Sequence, residues 1–183
     1  MSIICPTDCT SLLYPVSFDE CAPKFEFGEI NRIYVASQGA DEFSAWDELA
    51  EWTTRLSDDG TITDVDTVIE LVVRGSWEAA EEEEIEVSDF RKAYSPSSFT
   101  INFEVDDLSD ENYEFMRWLE CNPGVKIWIG AGQHIWGGNE GVLAQLRMKQ
   151  EIPMEGRKGI HKLVGMAKWE SRFHPERALN PML

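Results

Sequence analysis

The side chains in this sequence best equipped for chemistry are its carboxylates. The chain has 34 Asp and Glu against 16 Lys and Arg. Two adjacent pairs, Asp106-Asp107 and Asp110-Glu111, have the composition of a divalent-cation site or a general acid and base. Such a couple works only when a cleft holds two carboxyls at a defined separation. In so acidic a chain, chance pairs are expected, and the second pair already has a role at a helix start. Cys5-x3-Cys9, followed by Cys21 and the remote Cys121, would hold zinc only if Cys121 or a histidine came near. There is no Cys-x2-Cys pair, and His134, His161 and His174 are far away in sequence, so free, mostly buried thiols are the favoured reading. Gly-x-Ser-x-Gly, a phosphate-binding loop before a helix and His-Glu-x-x-His are all missing. Gly137-Gly138-Asn139-Glu140-Gly141 lies between two β segments, where a turn needing positive φ accounts for the glycines. The expectation is a protein that is not an enzyme and takes no cofactor.

The elements that must carry these residues are mostly strands. Ile30 to Val35 is rich in β-branched residues, and Val68 to Val73 is a continuous apolar run. Between them, Ser44 as cap and Trp46, Leu49, Thr53 and Leu56 at helical spacing predict a helix over 44–56. Phe99, Ile101, Phe103 and Val105 alternate with polar residues in a strand with one apolar face. Ser109 caps a second helix, with Asp110 and Glu111 in its positive first turn, and Asn122-Pro123-Gly124 ends it. A hairpin over 125–136 follows, then an alternating strand from Val142 to Met148 and a last long strand from Ile160 to Trp169. The fold class expected is α+β, mostly β. It comprises antiparallel sheets in a β-sandwich or barrel-like arrangement, two short flanking helices and a long acidic loop or hairpin. One domain spans 1–183, with an N-terminal arm over 1–24, a core over 25–175 and a C-terminal arm over 176–183.

The acidic excursion covers residues 76–98 and contains Glu81, Glu82, Glu83 and Glu84, then Ile85 and Val87. Adjacent glutamates repel one another and resist packing within the subunit. The segment is either a solvated loop or an arm that becomes ordered against a neighbour.

Charge is also unevenly divided along the chain. Residues 1–120 carry 29 acids and 7 bases, whereas residues 121–183 carry 5 acids and 9 bases. The net of −18 opposes contact with nucleic-acid phosphates, even though Lys168-Trp169 and Arg172-Phe173 interleave bases with aromatics. The 43 % hydrophobic content supports a packed core. No apolar run has membrane-spanning length, and the start Met1-Ser2-Ile3-Ile4-Cys5-Pro6 has no basic region of a signal peptide, so a cytosolic site of synthesis and no membrane anchor are expected.

The order of strand, Ser-capped helix (Phe99 to Cys121), hairpin and two long strands, ending in Trp169 and Phe173-His174-Pro175-Glu176-Arg177, resembles a known layout. It is that of the small β-sandwich-plus-helix virion proteins of tailed bacteriophages, above all their tail tube (major tail) proteins. Asn112-Tyr113-Glu114-Phe115-Met116-Arg117 and Gly137 to Gly141 are also similar to segments of phage structural proteins. The resemblance implies a virion subunit made in the host cytoplasm that forms hexameric rings, stacked head to tail around a channel. Double-stranded DNA would pass through without specific binding, and other virion proteins would be partners. It further implies a long loop or hairpin reaching the next ring, which the 76–98 excursion matches. The candidate self-assembly contacts are Glu81, Glu82, Glu83, Glu84, Ile85 and Val87 on the excursion, and Arg157, Lys158, Arg172, Phe173, His174 and Arg177 on the basic side. A head decoration, connector or tail-completion protein, or a non-viral binding module, is the alternative.

Overall fold

A computed structural model describes residues 28–57, 62–82, 84–88, 91–153 and 160–183. The expected N-terminal arm over 1–24 lies outside these residues. The strands are β1 (Ile30–Ser37), β2 (Val68–Trp77), β3 (Glu84–Ser88), β4 (Arg91–Tyr94), β5 (Ser97–Val105), β6 (Gly124–Ala131), β7 (His134–Trp136), β8 (Val142–Glu151), β9 (Lys162–Ser171) and β10 (Arg177–Leu179). The helices are α1 (Leu49–Arg55) and α2 (Asp110–Cys121).

The strands pair in the order β1-β2-β5-β9-β8-β6, and β6 pairs back to β1. Six antiparallel strands therefore close a barrel, a mostly β fold with two helices. Closure satisfies the edge hydrogen bonds of all six strands. Strict alternation drives it, because β5, β8 and β9 each present every second side chain to the interior. Ile33, Ile101, Phe103, Ile127, Leu146 and Leu163 meet there as part of one core. Phe103 fills the centre of one cross-barrel row. Its direct partners are Gly75 on β2 and Gly165 on β9, and Met148 lies beyond Gly165 on β8. The ring lies over the space that Gly165 leaves empty, a close approach that only Gly permits, while Gly75 sits against the Phe103 Cβ.

The chain leaves β5 and must reach β6, which stands on the opposite side of the ring of six. The crossing is made by α2. Ser109 Oγ accepts the Asn112 amide at 3.3 Å, and Met116 and Leu119 join the barrel core from that mouth. The other mouth carries the arm. The β2–β5 ladder continues past Trp77 through paired bonds between Glu81 and Ser98, of 3.0 and 2.8 Å, and then extends as the separate β3–β4 ribbon. The described part of the excursion is thus a hairpin rather than a loop.

Two expectations change. The first helix runs over 49–55 and its N-cap is Glu48, with no side-chain cap; Ser44 instead donates its amide to Glu51 Oε2 at 3.3 Å. The reason is distant in sequence. Asn139 accepts the Phe43 amide on its carbonyl (2.9 Å) and the Trp46 amide on Oδ1 (3.2 Å), holding residues 43–46 out of the helix. The inward side chain is Trp52, while Leu49, placed on the apolar stripe by the sequence, is exposed. At the other end, the C-terminal segment lays Arg177–Leu179 antiparallel on β7, so three residues of the expected arm belong to the sheet.

Candidate functional site

The predicted contact residues fall into two groups, and among the described residues those of the arm and of the tail come to the mouth opposite α2. On the arm side, Glu81 is held in the bridge to Ser98, and Glu82 accepts the Ser97 hydroxyl at 2.6 Å. Glu84 opens β3 and is exposed, Ile85 is 49 % exposed, and Val87 falls where the β3–β4 register shifts. Glu83, Arg157 and Lys158 lie outside the described residues. On the tail side, Ser171 pairs with Ser97 at the base of the arm. Just beyond it, Arg172 and Phe173 are exposed, and His174 stands edge-on to Phe99 with ring centroids 4.9 Å apart. Arg177 opens β10 opposite Trp136.

An aromatic cluster closes this mouth and stiffens the base of the arm. Phe99 stacks on Trp169 at 5.2 Å, and Trp77 meets Trp169 and Trp136 edge-on at 5.5 and 5.9 Å. Edge-to-face and stacked pairs at these spacings add stability beyond the area they bury. Trp77 is the last residue of β2, so the arm leaves from a fixed point rather than from a loop.

A second aromatic cluster lies outside the barrel on β1 and β6. Tyr34 and Trp128 are direct cross-strand partners facing away from the core, and residues 40–56 pack over them. Trp52 is fully buried against Tyr34, Phe43 and Trp128, and its indole N–H donates to the Trp46 carbonyl at 2.6 Å. Arg55 lies 4.5 Å over the Phe43 ring and donates to the Asp41 and Glu42 carbonyls. The glycine run of 137–141 borders the same cluster. Gly137, Gly138 and Gly141 all have positive φ, as the turn reading requires. Gly137 and Gly141 also press on the Trp128 indole, whose N–H donates to the Gly138 carbonyl at 2.8 Å. The loop is shaped by a tryptophan.

The acidic pairs have structural work too. Asp107 accepts the Ser109 amide on its side chain and Asn112 Nδ2 on its carbonyl, building the entry to α2. Cys121 is a free thiol, but at the last residue of α2 it is exposed rather than buried, and Cys5, Cys9 and Cys21 lie outside the described residues. No helix among the described residues is long and apolar enough to cross a membrane.

Burial pushes the Tyr34 phenol up to about 12, with Glu70 adding to the rise and Arg32 and Asn180 opposing it. A native pKa above the unfolded value of about 10 means that this group's stabilisation is complete below pH 10 and is lost as pH rises toward 12. Absorbance titration at 295 nm should show one late-ionising phenol that disappears in Tyr34→Phe, with cooperative unfolding beginning above pH 10. A titration curve that Tyr34→Phe leaves unchanged at its alkaline end would contradict the burial argument.

The sequence placed the bases on the final strands and tail, and the fold gathers three of them on the outer side of β8 and β9. Arg147, Lys149 and Lys168 are exposed there, and none has an ion-pair or hydrogen-bond partner among the described residues. By contrast, Arg32 pairs with Glu70, Arg74 with Glu29, and Lys162 with Glu104 at 2.6 Å and Glu151 at 3.6 Å. The signal was present in the polar phase of the alternation Leu143-Ala144-Gln145-Leu146-Arg147-Met148-Lys149. No family model, curated protein or solved structure matches this chain.

Proposed function

We propose that this chain is a non-enzymatic structural subunit that assembles with copies of itself, and that its place is the tail tube of a tailed bacteriophage. Hexameric rings would stack head to tail there around a channel that conducts double-stranded DNA. The observation that carries the reading is the β3–β4 ribbon that follows the glutamate run, which extends the β2–β5 ladder beyond a closed barrel and whose Ile85 is half-exposed. A two-stranded ribbon standing alone in water is marginal, so it gains most from a neighbour. The net charge of −18 fits a conduit, since an acidic wall repels phosphate and leaves the duplex free to slide. An acidic arm and a basic sheet face on one subunit are two unlike, complementary surfaces, as a head-to-tail polymer requires.

Negative-stain microscopy of the purified protein should show rings or long tubes, in greater number as salt screens self-repulsion. Replacing residues 83–96 with a two-residue Asn-Gly turn leaves the Glu81–Ser98 bridge in place. This variant should fold as a monomer with wild-type circular dichroism and form no tubes. A full-length chain that stays a monodisperse monomer at every salt concentration would overturn the reading.

A further inference from the structure

We propose that the outer face of β8–β9 is the seat on which a second copy of the chain lays its acidic arm. This rests on the self-associating reading above and names the surface that receives the arm. Across the two strands, Arg147 stands opposite Met166, Lys149 opposite Val164, and Lys168 opposite Gln145, so cations alternate with apolar side chains. Leu143 extends the apolar part, and it is exposed together with Val164 and Met166. An open cleft of about 600 Å³ runs over this face, bordered by Leu143, Gln145, Arg147, Met166 and Lys168, with the carboxylate of Glu170 at its edge beyond Lys168.

The arm presents matching chemistry. Glu81, Glu82, Glu84 and Glu86 are exposed carboxylates, and Ile85 between two of them is a half-exposed apolar side chain. Residues 81–94 carry six acids against Arg91 and Lys92, with Lys92 in register with Glu86, so the arm keeps a net negative charge, while the three cations of the face have no ion-pair partner among the described residues. Bringing the two together relieves both while covering Ile85, Met166 and Val164. Because the ladder carries the arm out past the mouth, the contact joins unlike surfaces of two copies and repeats from copy to copy.

The test uses the full chain. A photo-crosslinking phenylalanine analogue at Met166, in a mixture of isotopically light and heavy protein, should link to residues 81–94 of the other copy. By sedimentation velocity, Arg147→Glu with Lys149→Glu and Lys168→Glu should weaken association at least tenfold. Glu84→Lys with Glu86→Lys should do the same, and mixing the two reversed variants should restore it. Circular dichroism checks folding, and the crosslink, made with native charges, decides the matter if a reversed variant does not fold. Crosslinks that map elsewhere, or reversed variants that associate like wild type, overturn the seat. Tubes with crosslinks elsewhere would leave the tube reading standing and remove the seat. An arm-to-face crosslink in soluble oligomers that never stack would do the opposite, and a chain that forms no crosslink and no oligomer would refute both.

Discussion

Trp52→Ala should cost about 3–5 kcal/mol of folding stability, read from the midpoint of urea unfolding. Trp52 is 0 % exposed and touches three other aromatic rings, at centroid distances of 5.0 Å (Tyr34), 4.7 Å (Phe43) and 5.6 Å (Trp128). Truncation opens a cavity between the outer barrel wall and residues 40–56, and removes the donor to the Trp46 carbonyl. The helix that carries Trp52 has only 7 residues, far short of the roughly 12–15 at which an isolated helix becomes even marginal in water. Its existence therefore depends on this one buried side chain, and far-UV circular dichroism should lose α1 with the stability. Trp52→Phe keeps a ring beside Phe43 and should cost about half as much. Thr53→Ala, on the exposed side, should change stability by less than about 0.5 kcal/mol. A loss below about 1 kcal/mol for Trp52→Ala would mean that the outer cluster does not fold cooperatively with the barrel. Total stabilities of about 5–15 kcal/mol make the larger loss easy to resolve.

Gly165→Val should cost about 3 kcal/mol, at the upper end of what overpacking a core produces. A Cβ on Gly165 would overlap the Phe103 ring far inside van der Waals contact, and Phe103 is 1 % exposed within the packed core, so the ring moves only by displacing its neighbours. The change should speed unfolding and leave exposed surfaces untouched. Phe103→Leu shortens the ring that causes the collision, so combining it with Gly165→Val should recover part of the loss, a non-additivity of about 1 kcal/mol or more. Strict additivity would show that the two residues do not share the space the register assigns them.

These two sites differ in how far the sequence announced them. The β5 and β9 strands that hold Phe103 and Gly165 were legible from period-two alternation, which is local and survives in any fold that buries one face. The ladder that sets Gly165 directly opposite Phe103 was not, because register depends on how the whole barrel closes. The span of α1 was misread for a related reason. Ser44 and the residues after it have a capping pattern, but Asn139 takes the Phe43 and Trp46 amides from 93 or more residues away. The second helix was read well, since the Ser109 cap and the Asn122-Pro123-Gly124 stop are short-range signals.

The candidate surfaces divide in the same way. The sequence alone determined that acids crowd residues 1–120 and bases the last 63, that the protein is mostly β, and that residues 76–98 depart from the core pattern. Composition and periodicity are properties of neighbours along the chain, so no fold is needed to see them. Only the tertiary structure decided that the excursion is a ribbon growing from the β2–β5 ladder, and that β6 closes on β1. It alone also put the tail strand on β7 and left Arg147, Lys149 and Lys168 on one open face without an ion-pair partner among the described residues. Each of these is a pairing between residues far apart in the chain. Such pairings are chosen by which closure buries the most apolar surface while satisfying every edge, a property of the assembled barrel and of no single segment.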